Sequence, residues 1–191
     1  MPAEKFEVVF VCTGNRFRSP LAAAIFRQAV APLPVEVWSL GTLDLSPGAA
    51  LPEAVVLGSE WGVDLREHRS GVLADADLSH VDLVIGFERT HVITATVEGR
   101  SRRERTFTLP ELVGLLDRVA RPVADDPFDT GQRRLELAAG LRPTDPLQIG
   151  QPELDDPLGL PATEQRRIAE AIDDLTRRLA EALFGLEQDR M

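Results

Sequence analysis

Apolar residues follow two rhythms along this chain. Short runs rich in β-branched residues occur at Phe6 to Val11, Val35 to Ser39, Val81 to Phe87 and Arg105 to Leu109, the pattern of strands. Between them the apolar positions take helical spacing. Pro20 to about Val30 places Leu21, Ala24, Ile25 and Ala29 on one face, Pro52 to Trp61 reads as a second helix, a third starts near Glu88, and a fourth spans Pro110 through Arg118. The last helix, from about Ala162 to Phe184, repeats Ile168, Ile172, Leu175, Leu179 and Leu183 at three- and four-residue steps, a stripe that belongs in a core. Strands alternating with helices predict an α/β fold: a doubly wound, parallel, four-stranded sheet with helices on both faces.

Residues 121 to 161 break both rhythms. Pro122, Pro127, Pro143, Pro146, Pro152, Pro157 and Pro161 punctuate this stretch, and within it Gln132 to Leu141 reads as a short helix. A loop this long in a compact domain is functional or mobile. No internal repeat or low-complexity tract divides the chain, so residues 1–191 are expected to form one domain.

The chemistry concentrates where the first strand ends. Cys12, the sole cysteine, is followed by Thr13-Gly14-Asn15-Arg16-Phe17-Arg18-Ser19-Pro20. Ser19 is a good N-cap and Pro20 suits a first helical position, so the intervening loop is expected at a helix N-terminus, after strand 1. Free amides there attract an oxyanion, and Arg18 can grip two of its oxygens with a planar fork. The same positive field favours the thiolate of Cys12, which is the attacking form. Gly14 lets the backbone curl, Asn15 tolerates a left-handed conformation, and the Ser19 hydroxyl can donate to the sulfur. The plain alternative is a buried strand-end cysteine beside an arginine that merely starts a helix.

These residues resemble the low-molecular-weight protein tyrosine phosphatases, whose loop reads Cys, any, Gly, Asn, any, Cys, Arg, Ser. The resemblance continues through Ser39-Leu40-Gly41-Thr42, Gly62-Val63-Asp64-Leu65 with His68-Arg69, the strand Val81 to Gly86 followed by Glu88-Arg89, and an Asp-Pro near the C-terminus. It implies a phosphomonoester hydrolase acting through a phosphocysteine intermediate, on a phosphotyrosine protein or a small aryl phosphate. It further implies that Cys12 is the nucleophile, Arg18 the transition-state clamp and Asp156 the general acid. Thr13, Gly14, Asn15, Arg16, Phe17 and Ser19 would line the phosphate loop, with Ser39 and His68 supporting it from behind.

The acid is ambiguous in sequence, because the chain offers Asp126-Pro127, Asp145-Pro146 and Asp156-Pro157. Each could be an ordinary turn. In the family the acid loop leads into the final helix, which only Asp156-Pro157-Leu158-Gly159 does here, leaving Asp126 as the next choice. Three positions depart from the family. Phe17 replaces the second loop cysteine, and Leu45 and Leu158 stand where aromatic pocket walls are expected. Leucines keep an apolar slot but lose ring stacking.

Composition narrows the partners. A formal net charge of -10 argues against nucleic acid or an anionic membrane as a broad partner, so any anion site must be local. One cysteine precludes an intrachain disulfide, and no opening apolar segment suggests export; a cytoplasmic location is expected. His68, His80 and His91 lack metal-ligand spacing, so neither a metal nor another cofactor is expected. Arg100, Arg102, Arg103 and Arg105 read as a solvated loop. Nothing fixes the oligomeric state. Two other functions stay open: an arsenate reductase drawing on an external low-molecular-weight thiol, and a phosphate-binding module without turnover. The lone cysteine excludes an internal disulfide relay, and pure binding needs no nucleophile.

Overall fold

Strand β1 (Phe6–Cys12) lies inside a parallel sheet, between β2 (Val35–Gly41) and β3 (Leu83–Gly86), with β4 (Thr106–Thr108) beyond β3. The computed structural model describes residues 5–31, 33–45, 47–120, 126–143 and 152–186. Val8, Val9, Phe10 and Val11 are wholly buried, because a central parallel strand is covered on both faces by its crossover helices. Phe6, Val8, Phe10 and Cys12 face the larger core, under α1 (Arg18–Ala29), α2 (Pro52–Glu60), α4 (Leu109–Leu116), α5 (Pro127–Gly140) and α6 (Ala162–Phe184). Val9 and Val11 face a smaller core with Leu73, Leu78, Val81 and Ala95, the last from α3 (Arg89–Val97). The doubly wound α/β architecture expected from the sequence is therefore present, with unequal layers. Strand order reverses at β1, and the crevice beyond its C-terminal end is where such sheets bind ligands.

Four local expectations change. Helix α1 starts at Arg18, with Phe17 at the N-cap and no side-chain cap bond; Ser19 is the second helical residue because its hydroxyl is committed to the loop. Leu21 through Phe26 are all buried, a wider face than the sequence stripe, since α1 is wedged between the sheet and α6. Helix α5 begins five residues before the expected Gln132. Asp126 Oδ1 accepts from the backbone of Phe128 and Asp129, and Pro127 takes the first turn, so a proline pair that reads as a turn is a helix start. Arg105, finally, leaves the expected solvated cluster to pair with Asp82 at 3.3 Å. By contrast, α6 spans the residues its stripe predicts, and Gly185, at φ 68, ends it in the left-handed conformation.

Candidate active site

Backbone pairing sets the loop. Cys12 ends β1 opposite Gly41, and the Cys12 and Thr13 carbonyls accept from Thr42 and Leu43 N–H at 2.9 and 3.0 Å. A Cβ at Gly41 would fall 3.1 Å from the Thr13 carbonyl oxygen, so glycine there lets the loop lie against β2 without being pushed outward by a few tenths of an ångström.

Asn15 organises the loop's interior. Among the described residues only Asn15 and Arg100 take positive φ without being glycine, and Asn15, at φ 51, is fully buried. Its side chain repays the left-handed turn with three bonds. Nδ2 donates to Ser19 Oγ and Ser39 Oγ, each at 2.8 Å, and Oδ1 accepts from Gly71 N–H at 2.9 Å. His68 Nε2 lies 2.7 Å from the Asn15 carbonyl, which can only accept, so that nitrogen carries the proton. Burial, partly opposed by this bond, pushes the His68 pKa down, favouring the neutral ring. Ser39 and His68 thus both meet the loop at Asn15.

Ser19 Oγ lies 3.0 Å from Cys12 Sγ and 3.4 Å from the Leu40 carbonyl. Because Asn15 already donates to this hydroxyl, its single proton is shared between the Leu40 carbonyl and the sulfur, the sulfur being the nearer acceptor. Arg18 is 2% exposed and is the most constrained side chain of the loop. Nη1 binds Glu88 Oε1 and the Leu154 carbonyl, the latter at 3.0 Å. Nη2 reaches Asp156 Oδ2 at 2.9 Å and Thr13 Oγ1 at 3.3 Å, and the guanidinium lies 5.9 Å from the centre of the Phe87 ring.

Asp156 arrives on a tethered segment. Leu154 N–H donates to the Phe87 carbonyl at 2.9 Å, Glu153 Oε1 accepts from Arg89 N–H at 2.7 Å, and Asp156 Oδ1 accepts from Leu158 N–H at 3.1 Å. This leaves Oδ2 toward Arg18 while the side chain stays 44% exposed. Asp126 is elsewhere. It lines a cavity of about 590 Å³ with Phe6 and Glu7, at the opposite end of β1 from Cys12, about 20 Å away at the usual strand rise. Asp145 lies outside the described residues.

Leu45 and Leu158 are 54% and 71% exposed, and Leu45 comes close enough to Gly14 that a Cβ there would sit 3.1 Å from Leu45 Cδ1. Arg16 turns outward, its Nε donating to the Ala49 carbonyl at 2.9 Å, and Phe17 packs into the larger core. Neither side chain contributes to the loop's interior.

Two contributors escape a reading of the sequence, Glu88 and His91. Glu88 anchors Arg18, while buried His91 places Nε2 3.1 Å from Thr13 Oγ1. Burial, and secondarily Arg18, pushes the His91 pKa down to about 4. The available signal was positional: both follow β3, the neighbour of β1, and so belong to the same crevice. Among the described residues no group of three or more His, Cys, Asp or Glu could hold a metal, and no helix is long and apolar enough to cross a membrane.

A loop that opens on a cysteine at the switch point of a parallel sheet, with one buried arginine beside it, is an arrangement suited to binding a phosphoryl group. The family model of low molecular weight phosphotyrosine protein phosphatase matches residues 7–139, and the chain belongs to that family. It is 37% identical over 110 residues to a "Protein-arginine-phosphatase" of Bacillus subtilis strain 168, covering 56% of this chain and 72% of that protein. It is 31% identical over 138 residues to a "Probable low molecular weight protein-tyrosine-phosphatase EpsP" of Ralstonia solanacearum, covering 70% and 86%. The crystal structure of a low molecular weight protein tyrosine phosphatase from T. tengcongensis superposes with a TM-score of 0.68 at 26% identity, covering 92% of this chain and 98% of that one.

Proposed function

We propose that this protein hydrolyses phosphate monoesters, phosphotyrosine among them, through a phosphocysteine on Cys12. The observation that carries the reading is the double engagement of Arg18 Nη2. It binds the hydroxyl of the residue after Cys12 and the carboxylate of Asp156, which brings nucleophile, clamp and acid to one place. In the first step Cys12 Sγ forms a bond to phosphorus as the bond to the leaving oxygen breaks, and protonated Asp156 gives that oxygen its proton. Arg18 and the loop amides hold the three remaining oxygens as charge builds on them. In the second step Asp156 takes a proton from water, the water oxygen bonds to phosphorus, and the S–P bond breaks. Inorganic phosphate leaves and the thiolate returns.

The exposed aliphatic rim of Leu45 and Leu158 favours a second reading, in which the ester is replaced by the P–N bond of phosphoarginine, the substrate class named for the Bacillus relative. Asp156 would then protonate nitrogen. The experiment compares phosphate release from p-nitrophenyl phosphate and from matched phosphotyrosine and phosphoarginine peptides. A parallel arm follows arsenate-dependent consumption of a low-molecular-weight thiol. Turnover of the two aryl esters, abolished in Cys12→Ser, is expected. Release confined to phosphoarginine moves the assignment to the second reading, and thiol consumption without phosphate release overturns both.

A further inference from the structure

His91 is fixed in one tautomer by two backbone amides. Its Nδ1 accepts from Glu88 N–H at 3.1 Å and from Phe87 N–H at 3.3 Å, so that nitrogen cannot carry a proton. The proton of the neutral ring is therefore on Nε2, and at 3.1 Å from Thr13 Oγ1 the histidine is the donor. Arg18 Nη2 is a second donor to the same oxygen at 3.3 Å. A hydroxyl has two lone pairs and one proton. With both lone pairs occupied, the Thr13 O–H is directed away from His91 and Arg18 and is free to be given to an acceptor.

We propose that His91 is a positioning residue: its Nε2–H holds the Thr13 hydroxyl so that the O–H points at an oxygen of the anion in the Cys12 loop. Thr13 then binds a phosphoryl oxygen through its side chain. This deepens the phosphatase reading and rests on it. The opposite tautomer would present a lone pair to Thr13 and draw its proton out of the loop; the amides of Phe87 and Glu88 forbid it.

Packing supports the assignment. His91 occupies the third position of α3 and is 2% exposed, and β3 ends in Gly86, where a Cβ would fall 2.8 Å from His91 Cβ. Only glycine lets the imidazole approach this closely. The charged groups around the ring are Arg18, which disfavours its protonation, and Glu88 and Asp156, which favour it; burial outweighs both carboxylates. The neutral donor form consequently persists through the neutral range.

The test separates the two atoms of the ring. His91→Asn keeps an acceptor oxygen near the Nδ1 position, preserving the helix start, but removes the donor to Thr13. His91→Gln places an amide N–H near the Nε2 position. The affinity for orthovanadate, read as protection of Cys12 from iodoacetate, is measured for the unmodified protein, both His91 variants, Thr13→Val, and Thr13→Val with His91→Asn. We expect about tenfold weaker protection in His91→Asn and in Thr13→Val, the scale of one hydrogen bond to a charged group. The double variant should be no weaker than Thr13→Val alone, and His91→Gln should recover most of the affinity. Unchanged protection in His91→Asn, or losses that add in the double variant, overturns the assignment. Thermal melts of the four variants exclude unfolding as the source. Turnover of p-nitrophenyl phosphate is followed separately, with kcat and KM resolved. Its absence while vanadate still protects Cys12 overturns the phosphatase reading alone, and the affinities still decide the role of His91.

Discussion

Asp126-Pro127 and Asp156-Pro157 make the same local bond at opposite ends of the sheet. In each, Oδ1 of the aspartate accepts from the N–H two residues on, at 2.6 Å for Phe128 and 3.1 Å for Leu158. The difference lies in what each dipeptide joins. Asp126 opens α5 against Phe6 and the start of β1, whereas Asp156 belongs to a segment laced to Phe87 and Arg89 and turns Oδ2 toward Arg18. Local chemistry makes both turns; only the partner of the second oxygen separates a helix cap from a candidate acid.

The largest effect that can break this comparison is kinetic. Asp156→Asn should slow hydrolysis of phenyl phosphate by about 10²–10⁴-fold and hurt p-nitrophenyl phosphate much less, because a poor leaving group needs the proton more. Asp126→Asn should leave both rates alone. If Asp126→Asn shows the leaving-group dependence and Asp156→Asn does not, the roles are reversed.

A second difference between the ends is pH sensitivity. Native His91, close to Arg18, has its pKa lowered from 6.5 to about 4. Below pH 6.5 the unfolded chain therefore binds a proton that the native ring refuses, so stability is full above that pH and falls as pH drops toward 4. The expected loss is on the order of 1–3 kcal/mol, with His68 acting in the same direction. Urea titrations between pH 7 and 4 should show this slope, and it should flatten in His91→Asn. An equal slope in that variant would assign the acid sensitivity to other groups.

Much of this architecture was legible in the chain, and the exceptions share one cause. The run ending at Cys12 and the stripe of α6 are local apolar patterns, and both appear where the pattern puts them. The Asp-Pro at 126 is also local, yet proline reads equally as a breaker and as a first-turn residue, and the sequence pattern misses the first five residues of α5 on that account. Ser19 has the chemistry of a cap, but Cys12 and Asn15 claim its hydroxyl. Glu88 and His91 could not be assigned roles from spacing, because their contacts to Arg18 and Thr13 exist only once β3 pairs with β1. Long-range pairing, rather than weak local preference, hides them.

Two smaller effects sharpen the contrast. Asp126→Ala removes the cap of α5 and should cost about 1 kcal/mol of unfolding free energy with kcat/KM intact. A loss of activity at unchanged stability would tie that end to catalysis. Beside Asp156, Leu158→Tyr adds a ring to the exposed rim and should raise kcat/KM on aryl phosphates by roughly 2–10-fold, the scale of one aromatic pair. A neutral or lower value means that Leu158 does not meet the substrate ring.

Phe17 carries a consequence in redox chemistry. Its side chain lies in the larger core, at the N-cap immediately before α1, and Cys12 is the only thiol in the chain. A sulfenic acid formed on Cys12 by peroxide therefore has no internal sulfur with which to condense. Oxidation continues to the sulfinic acid unless a thiol arrives from solution. Glutathione present during exposure should preserve activity, and the same thiol added after prolonged exposure should not restore it. The protein would then depend on the surrounding thiol pool for the lifetime of its nucleophile.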